Sequence, residues 1–324
     1  MQKILLLLGL CFALYNGHAQ STDSTSLPLF DSAAVLKDLM ALLGSKKMAT
    51  SYAMATAGVG NRIFSVRNNR LNARQTIINT AVYTPGAGYF HKSGASITGA
   101  AYLLQQQPKG FGASQFSLTP AFDLLGKSTV GLSVSYTHYF VQDKFSPYAS
   151  PVQNDLFATV SYKKGWLQPG IAMGYSSGKF KEVFSKDTVI NNVRRYVYDS
   201  ATSSLQSFTL MLRASHVFEW AACIHKDDML LLVPSVVVNF GSSSIDVTHQ
   251  TNAPRLIDYL IKTGRLPLLI TNKFQAESVG LNINCSYAIG NFSFTPQVYL
   301  DYYLPQTDSK AFTQSFNFSV GYIF

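Results

Sequence analysis

Few residues of this 324-residue chain stand in spacings that could do chemistry. The nucleophile elbow G-x-S-x-G, the zinc pair H-E-x-x-H, C-x-x-C, the Walker loop and a G-x-G-x-x-G after a strand are all missing. His91, His138 and His216 fall on stretches that read as strands, and each reads as a satisfied polar group rather than a base. His216 is expected on an apolar face near the outer end of its strand. His249 opens His249-Gln250-Thr251-Asn252, which reads as loop. No catalytic residue, metal ligand or cofactor follows from these residues, so an enzyme is not expected. Four charges, Asp123, Arg213, Glu219 and Asp301, share the polar face of their strands. If those strands close on themselves, the charges line an interior. A charged interior selects ions; pairing that braces a narrow barrel is the other reading. Arg213 and Asp301 are expected near the outer mouth, Glu219 deeper, and Asp123 near the inner end.

Two connecting segments carry further signals. Residues 60–75 hold Arg62, Arg67, Arg70 and Arg74 and no acidic residue. Guanidinium forks suit phosphate, so these are candidate contacts to lipopolysaccharide; a solvated polar loop is the alternative. Residues 249–273 contain an expected helix from Pro254 to Lys262, ended by Gly264. Its apolar stripe, Leu256, Ile257, Leu260 and Ile261, makes it a candidate lid over the mouth or a docking surface.

The elements that must position these residues are strands. Over 314–324 the apolar residues Phe316, Phe318, Val320, Tyr322 and Phe324 alternate with Asn317, Ser319 and Gly321. Period two means a strand with one apolar face. The same alternation recurs at 129–142, 274–289 and 292–305. Twelve strands are expected, at 49–59, 76–92, 95–107, 114–125, 129–142, 154–163, 166–184, 204–225, 229–248, 274–289, 292–305 and 312–324. Their connections alternate long (60–75, 108–113, 143–153, 185–203, 249–273, 306–311) and short. A transmembrane barrel has short periplasmic turns and longer outer loops. A β-sandwich has no reason to alternate them, although its strands would show the same period. The predicted class is all-β: a closed antiparallel transmembrane barrel of about twelve strands, 312–324 closing against 49–59. Pro85, Pro120, Pro169, Pro234 and Pro296 fall inside strands, where each removes a ladder donor. They share the apolar parity and lie near short turns, so a ring at one height is expected.

Composition agrees. Charged residues are 13% of the chain, about half the usual globular share of about 25%. The net charge of +9 suits lipid or lipopolysaccharide phosphates, and no nucleic-acid motif accompanies it. No run of 18 apolar residues follows position 19, so spanning helices are not expected. Lys3, the apolar run 4–15 and Gly17-His18-Ala19 read as a signal peptide over 1–19. Residues 20–47 read as a polar segment with a short amphipathic helix at 31–44, capped by Asp31. The barrel takes 48–324. Cys223 and Cys285 read as small fillers.

The Ala19-Gln20 junction, Tyr89-Phe90-His91-Lys92-Ser93-Gly94, the strand parity and the final Phe324 together resemble the uncharacterised outer-membrane β-barrels of Bacteroidota-type bacteria. The resemblance spans about 48–324 and implies fold, a Gram-negative outer-membrane location and insertion by barrel assembly machinery. It carries no functional residue. Outer-membrane phospholipase offers a twelve-stranded enzyme precedent, but its His-x-Ser-Asn-Gly pattern is missing here and His249-Gln250-Thr251-Asn252 is a distant echo. The expected function is a narrow passive pore or a surface binding or structural protein. A lipid-modifying barrel enzyme and a component of export or assembly machinery are the alternatives.

Overall fold

The computed structural model describes residues 50–61, 81–106, 110–124, 129–141, 152–190, 193–263, 269–304 and 312–324. The signal peptide, the 31–44 helix and Arg62, Arg67, Arg70 and Arg74 lie outside the described residues.

The strands are β1 (Tyr52–Gly60), β2 (Val82–Phe90), β3 (Ala95–Gln106), β4 (Gly110–Asp123), β5 (Val130–Val141), β6 (Asn154–Tyr162) and β7 (Gln168–Ile190). They continue as β8 (Val193–Ser215), β9 (Phe218–Ala221), β10 (Asp228–Thr251), β11 (Leu269–Ile289), β12 (Phe292–Tyr303) and β13 (Phe312–Ile323), with helix α1 at Pro254–Lys262. Every pairing is antiparallel. β8 and β9 pair with successive parts of β10 and form one wall strand interrupted at His216–Val217. β10 pairs with β11 and β13 with β1, from Met54↔Ile323 to Gly60↔Asn317, so the wall closes as twelve strands. Closure pairs first strand with last, so the ring presents no open edge to hydrocarbon, which could not solvate one; beyond the ring the outer part of β7 pairs with β8 alone among the described residues.

The register fixes the shape. Partners followed from Asp228 through Ile289, Phe292, Tyr322, Ala55, Ala87, Gly99, Leu118, His138, Asn154, Ser177 and Gln206 lead back to β10 at Ser244. From 228 to 244 the stagger is 16 residues. For twelve strands at β-sheet spacing this means a tilt of about 45° and a backbone radius of about 12 Å. It also converts register into height above the rim of short turns.

Alternation holds around the wall. Val130, Leu132, Val134 and Tyr136 face out on β5, as do Val279 and Leu281 on β11. Midway up, the outward residues are mostly aliphatic, including Ile171, Leu212 and Val236. Aromatic residues flank them at both ends: Tyr89, Phe122 and Trp220 at the short-turn side, Tyr83, Phe140 and Phe312 at the other. An apolar band between aromatic girdles is the outer surface of a transmembrane barrel. The short turns at this rim are tight. Gly290-Asn291 joins β11 to β12, and Gly290 has φ +55°, a conformation that favours glycine in two-residue hairpins.

Three expectations about connections change. The 185–203 segment is not a loop: β7 runs to Ile190 and β8 starts at Val193. β3 and β4 pair as far as Gln106↔Gly110, leaving little of the 108–113 loop. β10 extends to Thr251 and β11 begins at Leu269, which shortens 249–273. These outer stretches lie beyond the apolar band, so they pair without an alternating pattern to reveal them. The expected 204–225 strand is split at His216–Val217 and ends at Ala221. All five prolines sit in strands on the outward parity, in a narrow belt on the short-turn half of the wall. Next to Pro85, Pro120 and Pro296 the ladder skips positions on one side, while the other side pairs through.

Candidate functional site

The inward face is layered. At the short-turn rim Met54, Phe90, Met229, Leu231 and Ala288 form a buried apolar cluster, with Tyr52 stacked on Phe90 at 4.9 Å between centroids. Towards the opposite end Val82, Tyr102, Leu104, Tyr139, Leu205 and Ile245 form a second cluster, joined by Val152. Its members come from β2, β3, β5, β8 and β10, and Leu205 and Ile245 are only 1% and 0% exposed. Side chains lining a wide aqueous channel stay wet; these do not.

Between the clusters the β10–β12 wall is polar. Asn239 Nδ2 donates to Ser278 Oγ (2.9 Å) and to the Tyr299 hydroxyl (3.3 Å). Tyr299 in turn donates to Asp301 Oδ1 (2.9 Å). The single Tyr299 proton goes to the carboxylate, so Asn239 must present its NH2 to Tyr299. That leaves Asn239 Oδ1 buried and without a partner. Gly280 makes room for this arrangement: a Cβ there would meet the Tyr299 hydroxyl and ring. Lower on the wall Gln297 Nε2 donates to Asn282 Oδ1 (3.1 Å), while Asn284 Oδ1 and Ser286 Oγ are buried without partners.

The four charges expected in the lumen stand on four strands and at different levels. Asp123 on β4 faces inward near the short-turn rim. Asp301 on β12 is inward, 1% exposed and high on the wall. Arg213 on β8 is inward beside the buried Met211, but near mid-height rather than at the mouth, because β8 begins far earlier than expected. Glu219 is not deep in the lumen. It lies on the exposed β9 at the rim, beside the short turn.

Sequence parity missed two further inward carboxylates. Asp155 on β6 accepts a 2.7 Å hydrogen bond from Ser176 Oγ, and Leu156 beside it points out. Glu277 lies at a register shift between β10 and β11. A Cβ on the inward Gly241 would meet its carboxylate at 2.6–2.8 Å, so Glu277 also faces in. The shift reverses its facing, which counting by twos back from Val279 could not reveal.

His249 is not in a loop. It stands in β10 opposite Ala201 of β8, and its Nδ1 lies 2.9 Å from Asp199 Oδ2. Its Nε2 is buried without a partner. Ser200 is on the opposite face of β8 and so is not aligned with this pair. His216 lies at the short-turn rim rather than the outer end, with Nδ1 against the Trp166 carbonyl and its ring edge-on to Phe218. Helix α1 forms over the expected residues; Ile257 is buried and Ile261 half-buried. The side chains of Leu256 and Leu260 lie outside the described residues.

The turn before β10 is organised by Asp228, which accepts from the backbone N–H groups of Cys223 (2.7 Å), Ile224 (2.8 Å) and His225 (2.9 Å) and from the Tyr287 hydroxyl (2.9 Å). Burial raises its pKa, but the bonds from His225, Ile224, Tyr287 and Cys223 outweigh it and hold the carboxyl below its ordinary range.

No family model and no curated protein matches the chain. Solved structures with a similar backbone include the COG4313 outer membrane channel from Pseudomonas putida F1, at 8% identity and TM-score 0.44, covering 85% of this chain and 96% of that one. The outer membrane channel DcaP of Acinetobacter baumannii has 7% identity and TM-score 0.23, over 85% of this chain and 96% of that one. LpxR from Salmonella typhimurium has 8% identity and TM-score 0.29, over 84% of this chain and all of that one (100%). At these scores the names say nothing of this chain's ligand or activity.

Proposed function

We propose that the chain is a non-catalytic outer-membrane β-barrel acting as a narrow passive channel for small polar solutes, closed at rest by the apolar cluster around Leu205 and Ile245. The observation that carries this reading is the layering of the lumen: a polar wall bounded at both ends by buried apolar side chains. Apolar constrictions block ions and polar solutes by excluding water. The outward apolar band and its girdles support insertion in a bilayer. The signal-peptide reading of 1–19, a Bacteroidota-type origin, assembly by barrel machinery and lipopolysaccharide contact through the four arginines belong to the same proposal. The test is conductance of refolded protein in planar bilayers. Wild type is expected to open rarely or slightly, and Leu205→Asn with Ile245→Asn to conduct more. Silence in all variants would leave a surface binding or structural barrel.

A second reading, a lipid-modifying barrel enzyme, draws on the His249–Asp199 pair, since a carboxylate-oriented histidine is general-base chemistry. Release of fatty acid from phospholipid or lipid A by wild type, lost in His249→Gln, is the outcome that supports it. No release removes it.

A further inference from the structure

Unused hydrogen-bond donors and positive charge meet on the outer surface where β5, β6 and β7 adjoin. Asn154 begins β6 on the outward parity shared by Leu156 and Val160. Its Oδ1 accepts from the Tyr136 hydroxyl (2.7 Å) and from His138 Nδ1 (2.8 Å). Two donors on the oxygen fix the orientation of the amide. Its NH2 is left without a partner among the described residues. Across the ladder Asn154 faces Ser177, and Lys179 and Lys181 follow on the same outward parity of β7. Lys179 is exposed. Gln153 Nε2 donates to the Lys179 carbonyl (3.0 Å), which holds the β7 backbone just beyond the last β6 pair.

Height gives these groups a setting. From Gly165 in the short turn up to Asn154 is 11 residues. At a rise of about 3.3 Å and a tilt of about 45° this is roughly 25 Å up the wall, near the upper edge of a barrel's apolar band. Below Asn154, Leu156 lies between Tyr136 and Tyr175, and Ala158 lies between Val134 and Met173. The outer surface is therefore lowest along β6.

The charge has one sign. Asp155, next in sequence, faces the lumen and is bonded to Ser176. On the neighbouring strands the nearest outward carboxylate among the described residues is Asp246. It stands two ladder steps from Lys179 across Ser204, about 10 Å away. Neither lysine ammonium has a partner among the described residues. An amide NH2, a hydroxyl and two ammonium groups suit a phosphate monoester. At this height the outer leaflet of an outer membrane carries the phosphates of lipopolysaccharide, with acyl chains against the wall beneath.

We propose that Asn154, Ser177, Lys179 and Lys181 form a docking site for a lipid A phosphate on the outer surface, with an acyl chain lying along β6. The site does not involve the arginines of 60–75. It rests on the outer-membrane reading of the wall and not on the channel reading.

The test uses the refolded full chain. Insertion into phosphatidylcholine vesicles is checked first, by protection from protease. Native mass spectrometry of the inserted protein, extracted into detergent, then counts bound lipid. Diphosphoryl lipid A is the probe; dephosphorylated lipid A and phosphatidylglycerol are the controls. Wild type is expected to retain lipid A, about tenfold more weakly in the Lys179→Gln, Lys181→Gln double variant and about threefold more weakly in Asn154→Ala. Both controls should bind at least about tenfold more weakly than lipid A. Changing Arg62, Arg67, Arg70 and Arg74 to Gln should leave lipid A retained. Equal affinity in wild type and both wall variants, equal retention of phosphatidylglycerol, or loss confined to the arginine variant would overturn the site. Insertion without lipid A retention would sink the site and keep the barrel in its membrane; folded protein that never inserts would sink both.

Discussion

Pro234 stands opposite His216 across the β8–β10 ladder, and the wall strand breaks there. His216 N–H still reaches the Pro234 carbonyl at 3.1 Å, but Pro234 has no N–H to return, and pairing resumes only at Phe218↔Leu232. Pro234→Val restores the donor on a half-buried outward position. Denaturant unfolding should show a gain of about 0.5–1.5 kcal/mol, the net worth of one hydrogen bond. A loss would mean that the break relieves a strain which the proline accommodates.

Gly280 has no side chain where Tyr299 crosses it. Gly280→Val pushes Tyr299 off its place and breaks the chain from Asn239 to Asp301. A loss of about 2–4 kcal/mol is expected from overpacking and the newly unpaired groups together. Tyr299→Phe, which keeps the ring, should lose less. Equal losses would show that the hydrogen bonds matter and the packing does not.

Val134 and Ser135 are neighbours on β5 that face lipid and lumen. Val134→Arg is expected to cost about 2–4 kcal/mol near mid-membrane, whereas Ser135→Arg should be tolerated. Folding yields into lipid vesicles compare them. The reverse order would invert the assignment of faces on which the transmembrane reading depends.

Asp228 gives the short turn a pH dependence. Its carboxyl is held below its ordinary range in the folded barrel. The contribution is therefore fully present above the unfolded value of about 3.9 and is lost as pH falls through the lowered folded value. Wild type should lose its advantage over Asp228→Asn only on acidification below about pH 4. Urea midpoints taken at neutral and strongly acid pH check this, and parallel curves would assign the turn's order to other bonds.

Strand parity made most of the wall legible. Alternation on 129–142, 274–289 and 292–305 placed the apolar faces correctly, and closure of the last strand on the first followed from it. The helix at 254–262 was readable from Pro254 and its stripe. What escaped was set by tertiary context. Glu277 turns inward through a register shift that leaves no mark in composition. Asp155 lies on a strand whose inward face mixes it with Phe157, which blurs the alternation. The stretches 185–203 and 249–251, at the outer ends of β7, β8 and β10, show no period-two alternation in sequence, so nothing distinguished them from loop. The pairing of His249 with Asp199 needed the register of β8 against β10.

The 16-residue stagger has an arithmetical consequence. Side chains alternate, so a closed wall keeps its lumen and lipid faces only when the stagger is even. A slip of β13 along β1 by one residue would meet lumen face with lipid face; the least permissible error is two. Insertions obey the same count. Between its partners on the closing path β11 spans 271 to 289, 18 residues against the 16 of β10. The surplus of two is absorbed at its two register shifts. A single inserted residue within a strand should therefore be tolerated only where a bulge can hold it, and pairs of inserted residues should be accommodated more widely.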